Sequence, residues 1–374
     1  MTTNILSKLG LFREIPNSQF WFMGLVGLFS VGVKALVDIQ YGNVVGKMLE
    51  GLMPFVYFPF LLIFKSQQNK LSTILNLLLF TLILIVFGIM QNSRGTFSEA
   101  IVIVLFVGLL YSLYNWRVVL SNLKPILLFG FFGLILFAIL SDLAKVMVIV
   151  RPQREHIAGI DLILLTIETW MNRELLDAYS QSMAMDTSRD YNEVYISNPM
   201  LGRLITTKFE DNLILYSTKL NFEESIIVLN ATIEKTIALL PTPVLNLFTT
   251  SISKVELEYS ISDLAWYLQR GSGLGTYRVS PPLGHGLILF GHYFFFVSIF
   301  VLPIVYTLVD SFCKVTKKNT YFASIFLILI YELYKLFSVG SLIGPIEFFA
   351  RTIPQLILFY IVFSLIFKVR YRAF

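Results

Sequence analysis

The stretch Leu71–Met90 reads LSTILNLLLFTLILIVFGIM and carries no ionisable side chain. A helix that crosses a bilayer needs about 20 predominantly apolar residues, and this run supplies them. Seven further runs on either side have the same character: Phe20–Val37, Val44–Phe64, Phe97–Tyr114, Pro125–Leu140, Gly284–Val309, Tyr321–Phe337 and Thr352–Phe367. All are too long and too uniformly apolar for core strands. Val44–Phe64 is broken by Lys47, Glu50 and Pro54 and also fits an interfacial segment. Composition agrees with a membrane protein: 56% of the chain is hydrophobic, only 14% is charged, and the mean hydropathy is +0.73. Soluble domains carry roughly a quarter charged residues.

One segment breaks the pattern. Val146–Pro282 holds sixteen of the 24 acidic residues and eleven of the 29 basic ones. The expected fold is therefore an all-α polytopic membrane protein of about eight spans, with one large, mostly helical loop between spans five and six. Three parts follow: an N-terminal bundle of about five spans over 1–145, the large loop over 146–282, and a C-terminal bundle of about three spans over 283–374.

Basic residues in short loops set orientation. With eight spans, Lys8, Arg13, Lys65, Lys70, Arg117, Lys124, Lys314, Lys317, Lys318, Lys368, Arg370 and Arg372 fall on one face, and Arg94 and Arg351 on the other. Both termini are then expected in the cytoplasm and the large loop outside. The net charge of +5 comes from this bias, because the large segment is itself net negative. It implies no nucleic-acid partner. A single cysteine, Cys313, provides neither a disulfide framework nor a thiolate metal cluster. The first run lacks a small-residue cleavage site and reads as an uncleaved anchor.

Inside the large loop, Ile160–Ser182 has apolar residues near helical spacing, which fits an amphipathic helix on the membrane surface or one packed on the bundle. Asn221 with Glu224 three residues on is the pattern of a capping box opening a helix, which should stop at Pro241-Thr-Pro243 because proline donates no ladder bond. Arg270-Gly-Ser-Gly-Leu-Gly-Thr-Tyr approaches the sixth span, and its backbone can come close to a ligand. Such clusters are more often plain turns.

Several arginines are candidates for an anion site. Arg94 sits in a tight turn between two spans, where a guanidinium either snorkels to headgroups or clamps a phosphate. Arg203, Arg270 and Arg278 lie in the loop, and Arg151 and Arg154 leave the fifth span together beside His156. Each alone reads as an ordinary surface charge. His285 opens the sixth span, a position where ionisable residues are uncommon. Three histidines without HExxH spacing give no catalytic metal. Glu332 and Lys335, three apart on the seventh run, should neutralise each other. Phosphate-loop and nucleophile-elbow motifs are absent.

Three short motifs resemble the O-antigen polymerase/O-antigen ligase superfamily (Wzy-like and WaaL-like proteins): Asn92-Ser-Arg-Gly-Thr opening a span, Leu201-Gly-Arg-Leu in the outer loop, and Gly273-Leu-Gly-Thr-Tyr followed by Pro282-Leu-Gly-His. Gly286 stands where that family often has Asn. The resemblance implies a GT-C-like architecture in the bacterial inner membrane and a donor glycan on undecaprenyl pyrophosphate. It assigns Arg94 and Arg203 to the pyrophosphate and His285 as base or hydrogen-bond partner. Arg278, Arg151, Arg154 and Arg270 are added as substrate-binding residues by position. No cofactor or metal is implied. The partners implied are the lipid-linked glycan, the bilayer, a chain-length regulator and a flippase. Polymerase, ligase and lipid-linked glycan transporter are the competing activities.

Overall fold

The computed structural model describes residues 2–13, 15–36, 44–65, 70–91, 93–114, 138–155, 157, 159–185, 207–240, 242–248, 252–271, 273–275, 278–315, 320–338 and 340–367. It is mostly helical, and among the described residues five helices are long and apolar enough to cross a membrane: Asn17–Leu36, Val45–Phe64, Leu71–Met90, Pro282–Asp310 and Ile343–Ile366. Most of the expected run Pro125–Leu140 lies outside the described residues. The chain forms two compact units, one of Phe20–Asp38 with Phe55–Ile205 and one of Met1–Gln19, Ile39–Pro54 and Thr206–Phe374. The large loop is thus shared, its first part with one unit and its second part with the other.

The first unit is built on close backbone approach. Along Asn17–Leu36, a Cβ added to Gly27 would lie 2.2 Å from the Val56 nitrogen, and one on Gly24 would lie 2.1 Å from Pro59 Cγ. Glycines let helices meet this closely where lipid offers no hydrophobic drive. The facing segment, Met53–Leu61, winds as a 3₁₀ helix that contains Pro59, which cannot donate to an α ladder. Its Phe55 and Phe58 are fully buried and stacked at 5.2 Å. Tyr57 donates to Glu99 Oε2 at 3.0 Å, so the carboxylate of the next helix pair is not left bare among apolar groups. Ser93 caps the helix Arg94–Tyr114 by accepting from the Thr96 N–H at 3.3 Å.

Further along this unit, the helix that ends the fifth run continues to Val150, past the expected loop boundary, before the 3₁₀ turn Arg151–Glu155. Asp142 meets Lys145 at 3.4 Å and Arg173 at 3.1 Å. The amphipathic stretch expected as one helix is two, Ile160–Met171 and Arg173–Met185. They break at Asn172, whose side chain accepts from the Leu175 N–H at 3.2 Å and so starts the second helix.

The second unit contains three passes between two ends. The Pro282–Asp310 stretch starts at one end, where the Leu342 N–H meets His285, and leads to Phe312 at the other, where the Ala323 N–H donates to the Phe312 carbonyl. Ser324 binds the Leu11 carbonyl there, and Tyr360 approaches Ser324 at 3.4 Å. The chain therefore returns between Ser324 and Leu342 and crosses again through Ile343–Ile366. The turn at Phe312 departs from the all-α expectation, because Cys313–Val315 and Thr320–Phe322 form an antiparallel hairpin. That hairpin consumes the start of the run expected over Tyr321–Phe337. Its helix, Phe326–Ser338, has 13 residues, about 20 Å long against a hydrocarbon core of about 30 Å. Glu332 and Lys335 pair at 3.4 Å, as their spacing suggests.

Outside these passes, the capping box is formed: Asn221 accepts from the Glu224 N–H at 2.9 Å and Glu224 from the Asn221 N–H at 2.8 Å. The helix Phe222–Ala238 ends before Pro241, and Pro243 lies in the first turn of a new helix, Thr242–Phe248, where its missing donor costs nothing. A core of Leu213, Tyr216, Val228, Ala231, Ile261, Leu264, Ala265, Ile288 and Ile343 joins the loop helices to the starts of two passes.

Replacing Gly27 by Val should lower stability by about 1–3 kcal/mol through overpacking, read as a fall in Tm in detergent. Gly108, with nothing within 4 Å of an added Cβ, is the control: Gly108→Ala should be neutral or stabilising by up to about 1 kcal/mol.

Candidate functional site

His285 sits on the first turns of the helix Pro282–Phe290, which opens with proline at its first position. The Glu210 carboxylate, from the helix Thr207–Lys219, accepts from the Gly284 N–H at 2.9 Å and satisfies one of the helix's orphan donors. Glycine at 284 permits the approach, since a Cβ there would lie 2.7 Å from Leu213 Cβ. His285 itself is 0% exposed. Its Nδ1 accepts from the Leu342 N–H at 3.2 Å, so the ring proton belongs on Nε2, which then donates to Thr232 Oγ1 at 2.9 Å. The Thr232 hydroxyl passes its own proton to the Val228 carbonyl at 2.7 Å. Both ring nitrogens of His285 are thus engaged within the protein.

Before that helix lies an aromatic and cationic platform. Ser260 and Asp263 form a capping box that starts the helix Ile261–Arg270, and Gly271, at φ 71°, ends it in the left-handed region. Asp263 is fully buried; one oxygen accepts from the Ser260 N–H at 3.1 Å and the other from the Arg278 N–H at 3.1 Å. The Ser262 hydroxyl donates to the Val279 carbonyl and the Ser262 N–H donates to Ser280 Oγ, stitching the returning strand-like segment to the helix start. This brings the Arg278 guanidinium 3.5 Å from the Trp266 ring centre, with its Nε 3.9 Å from Asp263. Arg270 Cζ lies over the same ring at 4.3 Å. Tyr216 holds the indole edge-on at 5.7 Å, and a Cβ on Gly273, where φ is 94°, would touch it at 2.9 Å. Within the glycine-rich approach, Gly273 is thus packed against Trp266. Beneath it, Lys235 donates to the carbonyls of Leu257 and Tyr259, and burial lowers its pKa to about 8 against the opposing pull of Asp263.

A second charged group lies where two apolar helices meet. Arg351, 17% exposed, binds Glu347 at 2.9 Å and Glu50 at 3.2 Å, and Glu50 also binds Lys47 at 2.8 Å. Arg351 occupies a π-helical turn, Phe348–Thr352, and such turns often mark functional positions. Gly51 lets the helices close, since a Cβ there would lie 2.8 Å from Gln355 Oε1. Burial, then the nearby Lys47 and Arg351 charges, lower the Lys254 pKa. Sequence reasoning counted Arg351 only for orientation, and Lys47 and Glu50 only as interruptions. A lone arginine in a long apolar helix was the signal available.

Of the expected site residues that are described, Arg270 and Arg278 meet over the Trp266 ring. Arg94 is the first residue of its capped helix, and Arg151 and Arg154 share the 3₁₀ turn Arg151–Glu155; all three belong to one unit, while Arg270, Arg278 and His285 belong to the other. Arg203 and His156 lie outside the described residues. Among the described residues no group of three or more His, Cys, Asp or Glu side chains could hold a metal ion.

Two outcomes follow from this geometry. His285→Ala leaves the Leu342 N–H without its acceptor and should cost about 3 kcal/mol, whereas His285→Asn, which keeps an acceptor near the Nδ1 position, should cost about half that; Tm measures both. Burial first, and then Asp211, raise the Glu210 pKa from 4.5 to about 6, with the Gly284 N–H opposing. The folded state holds this proton more tightly than the unfolded chain, so the associated stability is complete below pH 4.5 and is lost as pH rises through 6. Glu210→Gln should remove that dependence, a change of about 1 kcal/mol for this half-buried, solvent-screened group, seen by comparing Tm between pH 4.5 and 7. No protein-family model, curated protein or solved structure matches this chain.

Proposed function

We propose that the protein is a membrane glycan polymerase that joins undecaprenyl-pyrophosphate-linked oligosaccharide repeat units on the extracytoplasmic side of the bacterial inner membrane. The observation that carries this reading is the Arg270–Trp266–Arg278 platform immediately before the Pro282–Asp310 helix. A stacked guanidinium keeps its planar N–H donors in the geometry that grips phosphate oxygens in pairs. In the reaction, an acceptor hydroxyl attacks the anomeric carbon of the donor, the bond from that carbon to the pyrophosphate oxygen breaks, and the hydroxyl proton passes to solvent or the departing diphosphate. Negative charge grows on the leaving group, so fixed cations lower the barrier. Arg278 and Arg270 take that role here. For Arg94 and Arg203 the same role rests only on the motifs they sit in, and for Arg151 and Arg154 only on their place in the sequence. His285 acts by positioning the helix start. No cofactor is required, both termini are assigned to the cytoplasm, and a flippase and chain-length regulator are the natural partners of such an enzyme.

A transporter for the same lipid-linked glycan is the second reading, and a specific observation favours it. Three of the five long apolar helices are interrupted, by the 3₁₀ segment Met53–Leu61, the 3₁₀ turn Gly291–Tyr293 and the π turn Phe348–Thr352. Broken helices are a feature of secondary transporters.

Reconstitution in liposomes with a pyrophosphate-linked repeat unit separates the two. The polymerase reading expects a ladder of longer glycans from the wild type, about a hundredfold slower growth in Arg278→Ala, and no rescue by Arg278→Lys. Movement of the lipid-linked unit across the bilayer without chain growth would instead establish the transporter.

A further inference from the structure

At the end of the second unit opposite His285, a cavity of about 210 Å³ is walled by the N-terminal segment and by the last apolar helix. Lys8 and Arg13 reach it from one side, and Tyr360 and Ser364 from the other. Among the described residues that line it, none is acidic. We infer that this cavity binds a phosphate group, and that its occupant is the headgroup of an anionic phospholipid.

The local build favours that ligand. The helix Thr2–Lys8 ends in a turn in which Gly10, at φ 80°, places the chain so that a Cβ there would lie 2.9 Å from Arg13 Cζ. Only glycine combines this backbone conformation with room for the guanidinium to fold back over the turn. Leu11 and Ile15 are buried, and the Ser324 N–H binds the Leu11 carbonyl at 3.0 Å, so the segment that carries the two cations is fastened to the hairpin end. On the opposite wall, the fully buried Gln19 donates to Ser364 Oγ at 3.1 Å and orients that hydroxyl. Two cations and the Ser364 hydroxyl around one hollow match the needs of a phosphate diester, while the Tyr360 hydroxyl is spent on Ser324. The volume falls below the ~300 Å³ at which pockets for larger organic ligands begin.

The surroundings point to lipid as the source. Leu9 on one side of the cavity and Leu365 on the other are large apolar residues more than two-fifths exposed, and so are Ile5 on the helix Thr2–Lys8 and Ile366 on the helix Ile353–Ile366. Acyl chains would lie along them while the headgroup enters the cavity. The site stands apart from the proposed glycan chemistry and does not depend on it.

The test uses purified full-length protein in neutral detergent, titrated separately with phosphatidylglycerol, phosphatidylcholine and sodium phosphate, with Tm and native mass spectrometry as readouts. Phosphatidylglycerol should bind saturably and raise Tm, and phosphatidylcholine should not. Arg13→Gln and Lys8→Gln should each weaken phosphatidylglycerol binding about five- to tenfold. Lys8 is exposed, so its variant carries the test if Arg13→Gln fails to fold. Protection by sodium phosphate that is lost in the variants supports the phosphate site and assigns it to a soluble ligand. Equal binding of the two lipids, or unchanged affinity in both variants with no effect of phosphate, overturns the proposal.

Discussion

One imidazole holds together the part of this protein that the candidate site rests on. His285 takes the Leu342 N–H on one nitrogen and gives a proton to Thr232 on the other, linking the start of one apolar pass, the start of another and a loop helix. Without an acceptor at that spot, a helix-starting N–H would be buried unpaired, and such groups are expensive. The surrounding core of Val228, Ala231, Ile288 and Ile343 can close only because that polar group is satisfied. The platform at Trp266 inherits its position from the same junction, since Tyr216 and Leu264 belong to this core.

A second constraint recurs in both units: several charges near apolar helices are held in groups rather than singly. Glu99 takes a tyrosine hydroxyl, Asp142 takes a lysine and an arginine, Glu332 takes a lysine, and Arg351 takes two carboxylates from different helices. Each arrangement lowers the cost of keeping an ionised group beside lipid-facing sequence. The Arg351 group differs from the others because it joins distant parts of the chain at a π turn. A helix break and ion pairs coincide there.

Local chemistry was legible where the signal was short-range. The Asn221–Glu224 box formed as its spacing required, because both partners lie within one helical turn. The pairing of Glu332 with Lys335 is of the same kind. By contrast, the break at Asn172 was hidden, since its side chain competes for the backbone with an otherwise continuous apolar pattern. The hairpin at Cys313–Phe322 was hidden too; three-residue strands carry too few alternating positions to register. The seventh run reads as a full span by composition, yet part of it is spent on that hairpin.

The sequence by itself determined that this chain is a helical membrane protein, that its ionisable groups collect in one long segment, and where several helices begin, because apolar run length and capping patterns depend only on neighbouring residues. Tertiary structure alone decided which cations share a site. Arg270 and Arg278 meet because Asp263 and Ser262 fold the chain back onto Trp266, and Arg351 meets Glu50 because Gly51 lets two helices close. Such contacts join residues far apart in sequence, and no periodicity along the chain encodes them.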